Sequence, residues 1–588
     1  MSFENLSILI YHLNMQFRTL NIQKNQWYIQ RRREFPGLTT IRRRIMFNHK
    51  ISRRSFLSVS AMTAATLALD WRKISAYAST FGPKKEYPVV IIGAGLGGLC
   101  CAAYLARNGF PVTLLEQHNI PGGYATAFER AGGKFNFEVS LHGTSIHENG
   151  TARCLEELDV LRRLKLVPLP EVYRLKTPGL DISVPQRDPE AYMNLLSRHF
   201  PSETEGIRSF VGEMIGVSNE INQLGKKKGK FLKILFPFQY PKMWDIRKKT
   251  LAQMLNEHIK DPELQHVLSA LWGYYGLPPE KLSAFYYANA TGGYLTNGSY
   301  YIKERSQALS NALADVIEEA GGVIHYETAA EKILLKEGAV TGVRTQNGKT
   351  FPARAVVSNA GAMTTFEKML PANAIPSDYL KQLKNYKPSI SSFIVWLGLN
   401  RELRGKIHGS GIHVASGKGP QADYESCMNG SVDQGSYSVS IYDNIYPGYS
   451  APGTSTLMLL FLSGYEPWKK YEADYHAGQK KEYNLEKERW SNILIQRAEK
   501  AVIPDLSAMI EVRDSATPLT NQRYTRNPAG AIYGFEQSVD NAFMNRIENR
   551  TPIRGLYLAG AWGNPGGGFV GVLRSGQSTF TKILEDWG

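Results

Sequence analysis

The sequence predicts an α/β fold in which one parallel sheet is built from separate parts of the chain. A buried strand, a glycine turn, an alanine-rich helix and a second strand follow one another over 89–116. A β-rich run follows at 323–359, and a strand at 555–561 precedes the last helix at 572–587. Strands that alternate with helices favour parallel pairing with helices on the faces of the sheet. The segments between these runs predict a second domain of mixed sheet and helices.

The first strand ends in a glycine-rich turn that reads Gly93-Ala94-Gly95-Leu96-Gly97-Gly98. Gly93 permits a tight turn, Gly95 lets a diphosphate approach the backbone, and Gly98 lets the helix pack closely on the strand. The free amides at the helix N-terminus favour phosphate binding. Glu116 ends the second strand, where an acid accepts hydrogen bonds from ribose hydroxyls. Together these features predict a Rossmann-type dinucleotide-binding domain. An ordinary tight turn explains the glycines but not the acid.

Length and charge limit the classes of protein to which the chain can belong. A chain of 588 residues is too long for one core, so several domains are expected. The net charge is +16, but residues 1–85 carry 15 Lys and Arg against 3 acids, which leaves only about +4 elsewhere. The basic charge therefore belongs to the N-terminal segment and does not predict nucleic-acid binding. The four cysteines form no CxxC pair, which argues against a disulfide framework or a metal site.

The N-terminal segment has the pattern of an export signal. Paired arginines at Arg53 and Arg54 precede 13 uncharged residues at 57–69 and a small-residue site at 76–78. That apolar run is shorter than the roughly 20 residues that span a bilayer. We interpret 46–78 as a twin-arginine signal peptide and 1–45 as a basic extension upstream of a natural start at Met46. A short buried or amphipathic helix is the alternative. The expected location is periplasmic or peripheral on a membrane, and the chain is not expected to be an integral multi-span protein.

The remaining chain divides into five predicted segments. The first, second and third parts of the dinucleotide-binding domain are expected at 87–150, 291–365 and 521–588. Apolar residues spaced by three and four positions predict a mainly helical region at 151–290, facing substrate or membrane. Alternating strands predict a substrate domain at 366–520, with the charged stretch 472–500 as a solvated helix.

Four motifs resemble one family. They are Val89–Phe137, Gly292–Gly322, Val356–Ala360 and Gly555–Gly576, and together they resemble the flavin-dependent phytoene desaturase, carotenoid isomerase and retinol saturase group. The resemblance implies FAD as cofactor in a glutathione-reductase-like domain. The residues it implies for FAD binding are Gly93, Gly95, Leu96, Gly97, Gly98, Glu116, Gln117, Gly122, Gly123, Ala330, Gly560, Ala561, Gly568, Phe569 and Val570.

The resemblance also implies the chemistry. Flavin N5 accepts or delivers a hydride, so no catalytic side chain is assigned. We expect a FAD-dependent desaturase or cis–trans isomerase acting on a carotenoid-like or other isoprenoid lipid. Because an exported protein lacks an NAD(P)H pool, a quinone is the candidate electron acceptor. For His142, a solvated or core position is favoured over a flavin contact.

Two alternatives stay open. A flavin amine oxidase would usually carry Arg where Tyr124 follows the double glycine. A non-catalytic flavin-binding protein is supported by Ala561, which stands where the family often has an acid, and by Glu304, which stands where a glycine is usual.

A basic and apolar stretch at 225–244 predicts a peripheral membrane surface. Lysines at 226–233 interleave with Phe231, Leu232 and Ile234, and Phe236 and Phe238 follow. Cationic and apolar side chains together favour an anionic bilayer, whereas a solvated loop is the alternative. The aromatic clusters at 272–275 and 285–287 fit an apolar substrate tunnel and ordinary core packing equally well.

Overall fold

The computed structural model describes residues 86–224 and 235–587. Met46, the predicted twin-arginine signal and the lysine-rich run 226–233 lie outside the described residues. The strands are β1 Val89–Ile92, β2 Val112–Leu115, β3 Ala127–Arg130, β4 Phe135–Glu138, β5 Leu166–Pro168, β6 Tyr173–Lys176, β7 Asp181–Val184, β8 Tyr300–Ile302, β9 Val323–His325, β10 Ala330–Lys336, β11 Ala339–Thr345, β12 Thr350–Pro352, β13 Ala355–Ser358, β14 Ser391–Leu399, β15 Gly411–Val414, β16 Tyr437–Ile441, β17 Ser455–Ser463, β18 Ile510–Ala516 and β19 Leu556–Leu558.

The α-helices extend from the glycine turn to the C-terminus. They are α1 Leu96–Arg107, α2 Gly150–Glu157, α3 Pro189–His199, α4 Thr204–Leu224, α5 Phe236–Gln239, α6 Pro241–Ile246, α7 Leu251–His258, α8 Pro262–Leu268, α9 Ala284–Asn297, α10 Arg305–Glu319, α11 Ser377–Asn385, α12 Pro420–Asn429, α13 Glu466–Lys469, α14 Glu472–His476, α15 Lys481–Ala501, α16 Leu506–Met509, α17 Pro518–Thr525 and α18 Phe569–Trp587. No helix in these two ranges is both long and apolar enough to span a membrane.

The predicted parallel sheet is confirmed. Its strand order is β19-β13-β1-β2-β9, and every neighbouring pair is parallel. Both faces of this sheet are covered. On one face α1 packs against α10 and α18. On the other face lies the sheet β10-β11-β12, which forms a second apolar cluster there. Near-continuous apolar strands such as β1 and β13 are what a sheet buried on both faces requires. The domain is therefore discontinuous in sequence, as expected.

A second, mixed sheet has the order β18-β14-β17-β16-β15-β6-β7. The nine-residue strands β14 and β17 pair along their full length, from Ser391 opposite Ser463 to Leu399 opposite Ser455. Strand β6 pairs in parallel with β15, so the segment 151–290 contributes two strands to this sheet. The sequence predicted that segment only as mainly helical, because the alternation in β6 and β7 extends over four residues each.

The expectation of a solvated helix over 472–500 is wrong in two respects. The structure has two helices there, α14 and α15. Helix α15 buries Tyr483, Trp490, Leu494 and Ala498 against the mixed sheet. The indole of Trp490 lies 4.8 Å from that of Trp468 and 5.2 Å from the ring of Phe393, centroid to centroid. The numerous charges of this stretch concealed its apolar stripe.

Candidate functional site

The glycine turn after β1 is packed so tightly that a side chain at Gly97 or Gly98 would have no room. Gly93 has a φ of +93°, which L-residues rarely adopt. A Cβ added to Gly98 would lie 2.2 Å from the carbonyl oxygen of Gly93, and one added to Gly97 would lie 2.6 Å from the backbone of Gly560. The end of β19 therefore lies directly on the first turn of α1.

Glu116 ends β2 beside this turn. Its side chain is buried, with Oε2 accepting a hydrogen bond from the Ala94 amide at 2.6 Å and Oε1 accepting one from the His118 amide at 2.9 Å. The carboxylate therefore joins the glycine turn to the residues after β2. Position and chemistry both match the acid that accepts ribose hydroxyls in dinucleotide sites.

A cavity of about 310 Å³ brings most of the predicted site residues together. Those that line it are Gly93, Gly95, Leu96, Gly97, Glu116, Gln117, Gly122, Gly123, Ala330, Ala561, Gly568 and Phe569. Three predicted residues do not line it. Gly98 packs behind the turn, Gly560 packs against Asn359, and Val570 lines a neighbouring cavity of about 400 Å³.

The other end of this cavity is the N-terminus of α18. Gly568 precedes the helix with a φ of +82°, and a Cβ added there would meet nothing within 4 Å. The helix has 19 residues, so its N-terminus carries the partial positive charge that stabilises an anionic group. A glycine cradle at one end and an open helix N-terminus at the other fit a cofactor with a diphosphate and a flat ring that becomes negative on reduction.

Two further cavities join this one. A cavity of about 550 Å³, lined mainly by apolar residues and lying against the mixed sheet, shares His142 and Tyr533 with the other two. His142 is largely buried, as one of the two expected positions requires, and it also lines all three cavities. Its Nδ1 lies 2.9 Å from the Ser440 hydroxyl, and its ring stacks on Tyr274 with the centroids 6.2 Å apart. Burial lowers the pKa of His142 to about 4, so the imidazole is neutral near pH 7.

Residues 96–584 match the family model described as flavin containing amine oxidoreductase. The chain belongs to this family. It is 27% identical to prolycopene isomerase 1 of an Oncidium hybrid cultivar, covering 86% of this chain and 85% of that protein. It is also 27% identical to the all-trans-retinol 13,14-reductase of Danio rerio, covering 81% of this chain and 82% of that protein. The resemblance to the carotenoid isomerase and retinol saturase group is thereby confirmed.

Solved structures confirm the fold. An oxidoreductase from Methanosarcina mazei superimposes with a TM-score of 0.52 at 19% identity, covering 85% of this chain and all of that one. Cyclohexylamine oxidase from Brevibacterium oxydans gives a TM-score of 0.55 at 16% identity, covering 85% of this chain and 99% of that one. With the match to the flavin oxidoreductase family, the protein is a FAD-dependent oxidoreductase, and its cofactor domain is of the Rossmann type.

Sequence reasoning missed Asn359 in this flavin oxidoreductase. Asn359 follows β13, and its amide fills the space between the glycine turn and β19. Its Nδ2 lies 2.6 Å from where a Cβ of Gly95 would be, and its Oδ1 lies 2.3 Å from the corresponding point at Gly560. The motif Val356–Ala360 was noted as a resemblance, but nothing local singles out the asparagine, because its neighbours are far away in sequence.

A second missed residue is Arg546, which is 1% exposed. Its guanidinium donates to the carbonyl oxygens of Gly563 at 2.9 Å and Ala561 at 2.7 Å, and to Gln537 Oε1 at 3.1 Å. Two of these charge-assisted hydrogen bonds hold the loop that reaches the 310 Å³ cavity at Ala561, and the third joins Arg546 to Gln537.

Glu138, the last residue of β4, has a structural role. Glu138 is fully buried and accepts hydrogen bonds from the Ser306 amide at 2.9 Å and the Tyr301 hydroxyl at 3.1 Å. It thereby satisfies an amide at the first turn of α10. Burial raises the pKa of Glu138, and the donated hydrogen bonds offset part of this rise.

Proposed function

We propose that this protein is a desaturase or cis–trans isomerase whose substrate is an isoprenoid polyene. The observation that carries the proposal is the meeting of three largely apolar cavities at His142 and Tyr533, next to the N-terminus of α18. An elongated apolar molecule in the larger cavities would reach the flavin ring at this junction. Relatives named for prolycopene and for retinol support a polyene as substrate.

We propose that FAD binds in the cavity of about 310 Å³ and that different lining residues contact different parts of it. Gly93, Gly95 and Gly97 would face the diphosphate and Glu116 the ribose, while Gly568 and Phe569 would lie beside the ring. When bound, FAD would supply a hydride acceptor and donor. The N-terminus of α18 would stabilise negative charge on the ring.

The walls of the junction bind and orient the substrate and exclude water. Tyr274 and Tyr533 are partly buried phenols, and desolvation raises the pKa of each, so they stay neutral. The neutral imidazole of His142 adds a polar atom without adding a charge. Such a junction suits a substrate that carries no charge.

The purified holoprotein tests this proposal. We expect a yellow protein with a flavin spectrum that converts a poly-cis carotenoid under anaerobic conditions. Conversion without net reduction of the flavin indicates an isomerase, whereas conversion that requires an added quinone indicates a desaturase. Chromatography of the extracted carotenoids gives the readout. A protein that leaves every polyene unchanged and releases hydrogen peroxide from amines would contradict the proposal and support an amine oxidase.

We further propose that the protein reaches its substrate at a membrane surface. Two apolar side chains that follow the lysine-rich run are exposed. Phe238 is 74% exposed and Leu235 is 38% exposed. Replacing Phe238 with serine is expected to reduce flotation with anionic vesicles severalfold, because an aromatic anchor is lost. Leu485→Ser is the matched control, since Leu485 is 54% exposed on α15. Equal flotation of both variants and the unmodified protein would contradict membrane binding through Phe238.

Export by the twin-arginine route remains part of this proposal. Export would place the protein outside the cytoplasm, and a quinone would then be its electron acceptor. N-terminal sequencing of the native mature protein tests it. A first residue near position 79 supports export, and a first residue upstream of Met46 contradicts the proposed start.

A further inference from the structure

His142 brings an unpaired ring nitrogen to the junction of the three cavities. His142 and Tyr533 are the two residues that line all three of them. The Tyr533 hydroxyl donates to the carbonyl oxygen of Gly273 at 3.1 Å, and burial raises the pKa of this phenol, so it keeps its proton. The Nδ1 of His142 pairs with Ser440, whereas its Nε2 has no hydrogen-bond partner among the described residues and keeps accessible surface. Nε2 is therefore free to interact with a substrate at the junction.

The imidazole of His142 is held in place from several sides. Oε1 of Glu138 accepts hydrogen bonds from the three amides of residues 139–141, at 3.1, 3.3 and 3.2 Å, so the chain that leads to His142 turns around this carboxyl group. On the other side, Ser440 of β16 lies 2.9 Å from Nδ1. The ring of Tyr274 stacks on the imidazole, with the centroids 6.2 Å apart. A side chain fixed in this way is preorganised for a reaction at the junction.

The hydrogen bonds around Ser440 determine which nitrogen of His142 carries the proton. Ser440 and Ser438 are two residues apart on β16 and point to the same side of the sheet, and Ser438 lines the cavity of about 550 Å³. The hydroxyl of Tyr442 donates to the carbonyl oxygen of Leu141 at 3.3 Å. Burial raises the pKa of Tyr442, and a hydrogen bond from Ser440 offsets part of this rise. Because Ser440 donates its own proton to Tyr442, it accepts one from Nδ1 of His142, which leaves the lone pair on Nε2.

Desaturation of a polyene needs a proton acceptor as well as a hydride acceptor. Two C–H bonds break on neighbouring carbons. One hydrogen leaves with both electrons as a hydride to the flavin, which thereby gains two electrons. The other leaves as a proton, and the electron pair of its C–H bond forms the new double bond. Loss of the hydride makes the neighbouring C–H bond strongly acidic, so a weak base such as a neutral imidazole is sufficient.

We propose that Nε2 of His142 is the base that takes this proton from the polyene, and that Ser440 positions the imidazole for the transfer. This inference rests on the proposed function and concerns its desaturase form. Because burial lowers the pKa of His142 to about 4, the imidazolium loses the proton to solvent near pH 7, and the base is regenerated.

The titratable groups that face His142 come from other segments of the chain. His413 on β15 is one of them, and burial together with the neighbouring His142 lowers its pKa to about 3. The others are the phenols of Tyr274, Tyr442 and Tyr533, each with a pKa that burial raises. All four are neutral near pH 7, so none of them adds a charge beside the proposed base.

The test measures flavin reduction in a single turnover. Oxidised holoprotein is mixed anaerobically with di-cis ζ-carotene in detergent micelles, without a quinone, and the loss of oxidised-flavin absorbance gives the rate. Its dependence on carotene concentration separates the maximal rate from half-saturation. His142→Gln is expected to lower the maximal rate about 100-fold or more, as loss of a general base does, with little change in half-saturation. In the unmodified protein the maximal rate should stay constant from pH 8 to pH 5, because the base is protonated only near pH 4.

Ser440→Ala tests the positioning role. Without the acceptor for Nδ1–H, we expect the maximal rate to fall about tenfold at unchanged half-saturation. Ser440→Thr keeps the hydroxyl and is expected to restore most of the rate. Equal rates in Ser440→Ala and the unmodified protein would contradict this role.

Chemical rescue distinguishes a base from a residue that only supports the structure. Imidazole added to His142→Ala is expected to raise the rate of flavin reduction about tenfold or more, because it replaces the missing group. His325→Ala is the matched control. His325 is also partly buried with a pKa that burial lowers, but it lines none of the three cavities. Its rate should be normal with and without imidazole.

The outcomes separate this inference from the proposed function. A normal rate in folded, FAD-loaded His142→Gln, or a slow His142→Ala that imidazole does not accelerate, would overturn His142 as the base. Isomerisation of the carotene by the unmodified protein without flavin reduction would also overturn it, and would leave the isomerase form of the proposed function standing. An unmodified protein that changes no polyene would overturn the proposed function and the inference together.

Discussion

Replacing Gly97 with alanine is expected to give a folded protein that has lost most of its FAD. The added Cβ would lie 2.6 Å from both N and Cα of Gly560 and 2.9 Å from Asn359 Oδ1. Backbone atoms cannot move aside as a flexible side chain can, so α1 and the end of β19 must separate. Overpacking of this kind costs about 1–3 kcal/mol. Because this turn is the proposed diphosphate site, we expect the dissociation constant for FAD to rise about tenfold or more.

Gly212→Ala is the matched control. Gly212 lies inside α4, and a Cβ there would meet nothing within 4 Å. Alanine in a helix interior is favoured over glycine by roughly 1 kcal/mol, so this variant should bind FAD normally and unfold at a slightly higher temperature. Titration of both apoproteins with FAD, with circular dichroism to verify folding, gives the comparison. Normal FAD affinity in folded Gly97→Ala would show that the turn does not hold the cofactor.

A second large effect is expected in the pH dependence of stability. Burial lowers the pKa of His142 to about 4 from the ordinary value of 6.5. Between these values the unfolded chain binds a proton that the folded protein does not, so stability falls as the pH decreases below 6.5. At 1.4 kcal/mol per unit, His142 alone accounts for about 2 kcal/mol lost by pH 5. Above pH 6.5 the residue is neutral in both states and has no such effect.

His142→Phe is expected to reduce this loss. Urea unfolding of the holoproteins at pH 7 and pH 5 should show a difference about 2 kcal/mol smaller in the variant than in the unmodified protein. His413, whose pKa burial and the neighbouring His142 lower to about 3, continues to contribute in both proteins. His476→Phe is the control because His476 is exposed on α14. An identical pH dependence in His142→Phe would mean that the buried imidazole binds its proton in the folded state.

Local pattern determined the cofactor domain. The turn 93–98, the strand pair β1 and β2 and the acid at Glu116 are contiguous, and their geometry depends on backbone preferences and side-chain size over fewer than thirty residues. The same holds for the last helix, where Gly568 and Phe569 lie at the N-terminus of α18. For this reason most of the predicted site residues line one cavity.

Only the tertiary structure decided which distant residues complete the site. Asn359 and Arg546 contact backbone that the tertiary fold brings to them, and β6 and β7 join a sheet whose other five strands begin more than 200 residues later. The aromatic residues at 272–275 fitted a tunnel and a core equally well until Tyr274 was found to line two of the cavities that meet at His142. Periodicity reports which face of an element is apolar, but not what it faces. Pairing between strands far apart in the chain depends on the summed burial of the whole fold, so local pattern could not predict which residues line the substrate cavities.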